Sequence, residues 1–124
     1  MTHLLAVAAG GAAGALARYG LTAAVHAVAG RTFPWGTLAA NVLGSFAMGL
    51  LYVLLLERSA ASPEARALLL TGLLGAFTTF STFTVETLNL VEAGALGRAA
   101  ANVLASVALC LLAAWIGMGA GRQL

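Results

Sequence analysis

The stretch that decides the fold is GAFTTFSTFTVE, residues 75–86. It follows an apolar run, residues 67–70, and stands where the middle of a membrane-spanning helix is expected. Glycine followed by threonine and serine is a poor helix former, because the hydroxyl groups compete for backbone hydrogen bonds. Inside a bilayer, irregular backbone is tolerated only where it is buried in protein or lines a polar cavity. We therefore predict a broken helix here, and a site or a path built by the break.

The composition is that of an integral membrane protein. Of the 124 residues, 61% are hydrophobic and 8% are charged, whereas a soluble domain carries about 25% charged residues. The net charge of +2 comes from six arginines and four glutamates. So few charges give no indication of a nucleic acid partner. The single cysteine, Cys110, excludes a disulfide within the chain.

Four apolar segments are long enough to cross a bilayer, which takes about 20 residues. They cover residues 4–28, 34–56, 65–91 and 96–118. Ser62 followed by Pro63 is typical of a helix start, with serine as the cap and proline at the first helical position. No repeat or extramembrane domain is visible. The fold class is therefore an all-α membrane protein, with residues 1–124 as a single domain of four transmembrane helices.

Small residues recur every four positions in the first two segments. Gly10 and Gly14 have GxxxG spacing, and Gly36, Ala40 and Gly44 continue the pattern. Such faces let helices approach closely. We interpret these glycines as packing residues.

The arginines give little preference for one orientation in the membrane. With four spans, both termini and the central loop share one side, which holds three arginines; the other side holds two, plus Arg18 if that residue reaches the surface. The two sets are Arg58, Arg66 and Arg122 against Arg31 and Arg98. Because short-loop arginine and lysine set orientation, this small bias predicts insertion both ways and pairing as an antiparallel, dual-topology homodimer. Four helices can hardly enclose a polar path alone, which also favours an oligomer.

Polar residues follow one face of the second segment. Thr37, Asn41 and Ser45 stand at i, i+4 and i+8. An unsatisfied amide in hydrocarbon costs several kcal/mol, so Asn41 either lines a path or forms a hydrogen bond between helices. The fourth segment repeats the spacing with Asn102, Ser106 and Cys110. Asn102 lies near enough to the helix end to be merely hydrated.

Aromatic and charged residues mark the third segment and the first. Phe80 and Phe83 are three apart, so their rings share a helix face. Ring edges are electropositive and can attract an anion. Glu86 lies a turn further on; an intramembrane carboxylate indicates a functional site unless it reaches the helix end. Arg18, inside the first segment, is interpreted as an anchor more readily than as a charge on a path.

The chain carries no set of residues typical of an enzyme. It lacks HExxH, CxxC, P-loop and dinucleotide motifs, and it contains no Asp for a Ser-His-Asp triad. We assign neither His3 nor His26 to catalysis. The sequence predicts a protein that is not an enzyme.

Three motifs in order resemble the Fluc fluoride channels, also called CrcB proteins. The resemblance covers the first three segments in register. The motifs are Gly10-Gly11-x-x-Gly14-Ala15-x-x-Arg18-Tyr19, Gly36-Thr37-Leu38-x-x-Asn41-x-x-Gly44-Ser45-Phe46, and Gly72-x-x-Gly75-x-Phe77-Thr78-Thr79-Phe80-Ser81-Thr82-Phe83-x-x-Glu86. The fourth segment departs from the pattern, because the family often has a tyrosine where Asn102 aligns.

The resemblance implies a dual-topology antiparallel homodimer in a bacterial plasma or inner membrane, with two fluoride pores for passive export. The family's pore roles would fall on Asn41, Phe80, Phe83, Thr79, Ser81, Glu86 and Ser106. The family also has a structural sodium ion at the dimer centre. Its ligands here would be the backbone carbonyls of Gly75 and Thr78 from both subunits.

Two other functions fit parts of the pattern. A small multidrug-type antiporter also has four spans and dual topology, but an essential carboxylate is expected in its first span, where this sequence has none. A structural membrane subunit would explain the glycine faces but would leave residues 75–86 and Asn41 without a purpose.

Overall fold

The fold was described from a computed structural model, which covers residues 1–58 and 61–124. In this part of the chain the regular structure is entirely helical, and four spans are long and apolar enough to cross a membrane. They are Thr2–Ala29, Trp35–Glu57, Pro63–Glu92 and Leu96–Gln123. The four predicted spans are confirmed, with no end shifted by more than five residues, and the chain is a multi-pass membrane protein.

The first two spans are helices α1 (Thr2–Ala29) and α2 (Trp35–Glu57). Gly30 ends α1 with φ 79°, a left-handed value that suits glycine. Pro34 caps the N-terminus of α2 and stands just before its first turn. The last part of α2, Val53–Glu57, widens into π-helical turns.

The third span consists of two helices in succession. Helix α3 comprises Pro63–Arg66, the π-helical Ala67–Leu74, and Gly75–Phe77. The predicted start is confirmed: Pro63 is in the first turn, and the backbone N–H of Ala65 donates to the Ser62 hydroxyl at 3.1 Å. Thr78 and Thr79 are extended, with ψ 155° and 112°. Helix α4 follows (Phe80–Glu92), and after a turn comes α5 (Leu96–Gln123).

Glycines bring the helices together in two close pairs. A Cβ at Gly10 or Gly14 of α1 would collide with the backbone of α3 at Leu68 or Leu73. A Cβ at Gly49 of α2 would collide with the Ala114 carbonyl of α5. The glycine spacing in α1 therefore serves close helix packing, as the sequence predicted.

The outer surface is apolar. Large side chains stand exposed around the bundle, among them Leu16 at 72%, Leu104 at 70% and Trp115 at 71%. Exposure of this kind is costly in water and is the normal state of a surface that faces lipid tails. The bundle therefore presents hydrocarbon outwards and concentrates its polar groups around the residues that connect α3 to α4.

Candidate functional site

Asn41 holds the extended residues between α3 and α4. Its Nδ2 donates to the Thr79 carbonyl at 3.0 Å, and the Thr79 N–H donates to its Oδ1 at 2.7 Å. Thr79 is the N-cap residue of α4, so its carbonyl accepts the first hydrogen bond of that helix, whereas its N–H has no helical partner and must be satisfied inside a bilayer. The side-chain amide of Asn41 offers one donor and one acceptor in the spacing that a peptide group requires. Asn41 thus takes the place of a neighbouring peptide group.

The interruption leaves backbone carbonyls without their helical partners. In a continuous helix the Gly75 carbonyl would accept from the Thr79 N–H, which here donates to Asn41. The Thr78 carbonyl would accept from the Thr82 N–H, which here donates to the Thr79 hydroxyl at 3.2 Å. Two carbonyls one turn apart are therefore free of the N–H groups that would bind them in a helix.

Arg18 satisfies a third carbonyl at this point. Its Nε donates to the Ala76 carbonyl at 3.0 Å, so a side chain from the middle of α1 reaches the C-terminal end of α3. A cation is favourable at the negative end of a helix. Arg18 is thus anchored in protein at the interruption, in agreement with the first interpretation of this residue.

A polar cavity lies on one side of Thr79, and we call it the vestibule. Its volume is about 480 Å³. Three basic side chains and one acidic side chain line it, namely Arg18, His26, Arg31 and Glu86. Thr37 donates to Glu86 Oε1 at 3.0 Å, while Glu86 Oε2 is buried with no partner in the described residues. Glu86 therefore faces the vestibule from inside the span instead of reaching the helix end.

A second cavity lies on the other side of Thr79, and we call it the aromatic cavity. It encloses about 350 Å³ and has no acidic or basic side chain in its lining. The rings of Phe80 and Phe83 lie with centroids 5.3 Å apart and planes tilted by 46°. Phe83 is buried at 9% exposure, whereas Phe80 is 77% exposed. The lining residues are Asn41, Gly44, Ser45, Met48, Thr78, Thr79, Phe80, Phe83, Ser106, Val107, Cys110 and Ala114.

Thr79 joins the two cavities, since it is the one described residue in the lining of both. Its hydroxyl donates to Thr82 Oγ1 at 3.0 Å and lies 3.3 Å from the Ser81 hydroxyl. Ser81 itself is exposed and is in the lining of neither cavity. Of the seven residues to which the family resemblance assigned pore roles, five therefore meet at the aromatic cavity, Glu86 faces the vestibule and Ser81 faces outwards.

One expectation about the fourth span was wrong. Asn102 was expected to be merely hydrated, but it is 2% exposed and donates to the Thr87 hydroxyl at 2.9 Å. The signal in the sequence was its spacing from Ser106, which puts both on one face of α5. Proximity to the helix end was misleading, because the turn after α4 brings Thr87 across that end of α5.

No cluster of three or more His, Cys, Asp or Glu side chains is present in the described part of the chain. The side chains that usually bind transition metals are therefore not gathered at any point within residues 1–58 and 61–124. A cation at the interruption would depend on backbone oxygens.

Comparison with known proteins places the chain in a family. The family model described as "CrcB-like protein, Camphor Resistance (CrcB)" matches residues 5–118. The chain belongs to this CrcB-like family. A relative from Magnetococcus marinus named "Fluoride-specific ion channel FluC" is 56% identical over 116 residues, which are 94% of each chain.

Two further relatives carry the same name. The protein from Geobacter sulfurreducens is 54% identical over 124 residues and is matched over its full length, as is this chain. The protein from Methylococcus capsulatus is 54% identical over 121 residues, which are 98% of this chain and 53% of that protein. The similarity to CrcB-like proteins thus extends over all four spans, including α5.

The pairing of Asn41 with Thr79 gives a prediction about stability. Asn41→Leu keeps the branched shape but leaves the N–H of Thr79 unpaired, at a cost of about 1–3 kcal/mol, and removes one donor from its carbonyl. We expect a lower free energy of unfolding in detergent micelles and faster hydrogen exchange at the Thr79 amide. Ser45→Ala, one turn further on the same helix face, is the control. Equal losses in the two variants would contradict the role given to Asn41.

Proposed function

We propose that this chain forms a fluoride-selective ion channel that lets fluoride leave the cell passively and so lowers its toxicity in the cytoplasm. The relatives named fluoride-specific ion channels support this function. The single observation that carries it is the aromatic cavity: an uncharged space with two phenylalanine rings, an amide and hydroxyl groups, joined at Thr79 to a vestibule rich in basic side chains.

The chemistry of the aromatic cavity suits a small anion. Fluoride is strongly hydrated, so a path must replace its water with hydrogen-bond donors. The hydroxyl of Ser106 and the second Nδ2 hydrogen of Asn41 are such donors, and the edges of Phe80 and Phe83 carry partial positive charge. A cation would find no carboxylate in this lining. The cavity therefore favours an anion that can shed its water.

The vestibule would collect the ion before it sheds water. Arg18, His26 and Arg31 line it against one carboxylate, Glu86, whose Oε1 accepts a hydrogen bond from Thr37. Basic residues in a cleft with low-dielectric walls raise the local anion concentration. The vestibule would thus attract the anion by charge, and the aromatic cavity would replace its water with uncharged donors.

Passive flow fits the chain better than coupled transport. The sequence holds no nucleotide-binding motif, and none of its four glutamates lies in α1, where a small multidrug-type antiporter would need its carboxylate. The family comparison gives the antiporter no support. The absence of a nucleotide-binding motif and of a carboxylate in α1 favours a passive path.

The proposed function predicts fluoride flux that depends on the two rings. Liposomes with the purified protein should release fluoride and retain chloride. Phe80→Ile and Phe83→Ile should each lower the flux by about tenfold or more, which corresponds to about 1.4 kcal/mol of lost stabilisation of the ion in the path. Phe46→Ile is the matched control, because Phe46 lines neither cavity. Wild-type liposomes that retain fluoride would refute the function, and full flux in both ring variants would make Phe80 and Phe83 mere packing residues.

The functional unit would be an antiparallel homodimer in a bacterial plasma membrane, in which the interruption of the third span helps to form two ion paths. Three observations support this assembly. The arginines are nearly balanced between the two sides of the membrane. Phe80 is 77% exposed although it lies beside hydroxyl groups. Ser81 and Thr84 are also exposed on α4 and place hydroxyl groups beside that ring, although each hydroxyl has a partner within the third span.

Dual topology can be measured with single cysteines. In a Cys110→Ser background, Thr32→Cys and Glu64→Cys lie on opposite sides of the membrane. An impermeant thiol reagent on intact cells should label about half of the copies at each position, because the arginine bias is small. Adding arginines at Gly97 and Ala100 should shift both fractions, whereas glutamines at the same positions should not. If only one of the two introduced cysteines is labelled in the protein without added arginines, the antiparallel dimer is excluded.

A structural sodium ion at the dimer axis fits the free carbonyls at the interruption. The Gly75 and Thr78 carbonyls lack their helical donors, and unwound backbone carbonyls coordinate sodium in other membrane transport proteins. The two carbonyls from each subunit would hold the ion, which would tie the subunits together and add positive potential near the paths. The absence of a nearby carboxylate favours a monovalent ion.

The sodium proposal predicts a stability effect specific to one cation. Purified dimer should unfold at a higher temperature in sodium chloride than in N-methylglucamine chloride of equal ionic strength, since the ion binds only the folded state. Potassium chloride controls for the effect of a small monovalent cation. The same unfolding temperature in all three salts would argue against the site.

A further inference from the structure

A partly buried series of hydrogen bonds runs from α4 to α5 beside the aromatic cavity. Asn102, at 2% exposure, donates through Nδ2 to the Thr87 hydroxyl at 2.9 Å. The Thr87 hydroxyl donates to the Phe83 carbonyl at 2.7 Å. At the other end, the Ser106 hydroxyl donates to Asn102 Oδ1 at 3.5 Å. These hydrogen bonds connect the backbone of Phe83 with the side chain of Ser106, and both residues line the aromatic cavity.

We propose that Asn102 is a positioning residue for ion passage, which fixes the direction in which the Ser106 hydroxyl donates and so keeps that hydroxyl available to a passing anion. The inference rests on the proposed channel function. Asn102 itself is not in the lining of the aromatic cavity, whereas Ser106 is. Asn102 therefore acts on the ion only through Ser106.

Which group donates in each of these hydrogen bonds follows from the number of hydrogens that each side chain carries. A threonine hydroxyl has one hydrogen, and that of Thr87 is committed to the Phe83 carbonyl. The atom of Asn102 that faces Thr87 must then be a donor, which places Nδ2 there and leaves Oδ1 towards Ser106. Because Oδ1 only accepts, the hydrogen between Asn102 and Ser106 must come from the serine. The Phe83 carbonyl thus determines the orientation of Asn102, and Asn102 that of Ser106.

The length of the last bond makes it easy to exchange. At 3.5 Å the bond from Ser106 to Asn102 is at the long limit for a hydrogen bond and is weak, whereas a hydroxyl that donates to an anion forms a short, charge-assisted bond. An anion in the aromatic cavity can therefore take over the Ser106 hydrogen at little cost. When the anion leaves, the hydroxyl returns to Oδ1. Ser106 keeps an acceptor at all times.

Without Asn102 the serine would find another acceptor. A serine in a helix readily donates to the carbonyl four residues earlier, which for Ser106 is the backbone carbonyl of residue 102. Once Oδ1 is removed, that carbonyl is the acceptor left to Ser106 within its own helix, and a short bond to it would be harder for an anion to replace than the long bond to Oδ1. Removal of the Asn102 amide should therefore have the same effect on the ion as removal of the Ser106 hydroxyl.

A double-mutant cycle tests whether Asn102 acts through Ser106. We expect Asn102→Leu and Ser106→Ala each to raise the half-saturating fluoride concentration for liposome flux by about tenfold, as for a lost hydrogen bond to a charged partner. The double variant should be no worse than Ser106→Ala alone. If the two changes multiply instead, Asn102 has a structural role only and the inference is wrong. Wild-type liposomes without fluoride flux would overturn the proposed function and, with it, the role of Asn102.

A second pair of variants covers the case in which Asn102→Leu does not fold. Thr87→Val keeps the shape but removes the hydroxyl that orients Asn102, and Thr87→Ser keeps the hydroxyl as the matched control. Thr87→Val should raise the half-saturating concentration, with no further effect in a Ser106→Ala background, and Thr87→Ser should behave as wild type. Equal behaviour of the two Thr87 variants would overturn the inference.

The resting bond can be observed without transport. The side-chain amide of Asn102 gives a pair of ¹H–¹⁵N signals in detergent micelles. Ser106→Ala should shift these signals because Oδ1 loses its donor, and sodium fluoride should shift them in the same direction in wild type. Sodium chloride is the control. Signals that do not move in Ser106→Ala would show that Asn102 does not hold Ser106, whatever the flux measurements give.

Discussion

The need to pair every backbone polar group inside a bilayer governs the centre of this protein. Thr78 and Thr79 leave the helix inside the third span, and the amide of Asn41 supplies the acceptor that the Thr79 N–H loses and a further donor to the Thr79 carbonyl. Because that pairing diverts the Thr79 N–H, the Gly75 carbonyl is freed at the same point. The interruption, the free carbonyls and the joint between the two cavities therefore depend on one side chain from α2.

Charge and aromatic surface are kept apart around this joint. The basic side chains Arg18, His26 and Arg31 line the vestibule, while the aromatic cavity contains hydroxyls, an amide and rings without formal charge. An arginine in the aromatic cavity would hold an anion too tightly for rapid passage, and an aromatic cavity without charged groups beside it would rarely be occupied. Because Thr79 lies between the vestibule and the aromatic cavity, the first can attract an anion by charge while the second replaces its water.

The sequence predicted the positions of the helices better than it predicted which side chains form hydrogen bonds between them. Hydropathy and the Ser62-Pro63 start gave the four spans, and the glycine and threonine run located the interruption, because these signals are local in the chain. It did not find that Asn41 pairs with Thr79, since that contact depends on how α2 lies against the third span. For the same reason Asn102 was misjudged: distance from a helix end does not determine burial when the preceding helix crosses that end.

The uneven exposure of α4 has a consequence for the life of the protein in the cell. A single copy in lipid presents Phe80, Ser81 and Thr84 on one surface, although Thr84 already donates to the Phe80 carbonyl of its own helix. In the proposed antiparallel dimer the second copy would cover this surface, so dilution into excess lipid would separate few pairs. Insertion of successive copies in both directions, as proposed, would supply each copy with a match nearby. Unmatched copies would be the ones open to membrane proteases, and the balance of orientations would then set how much protein survives.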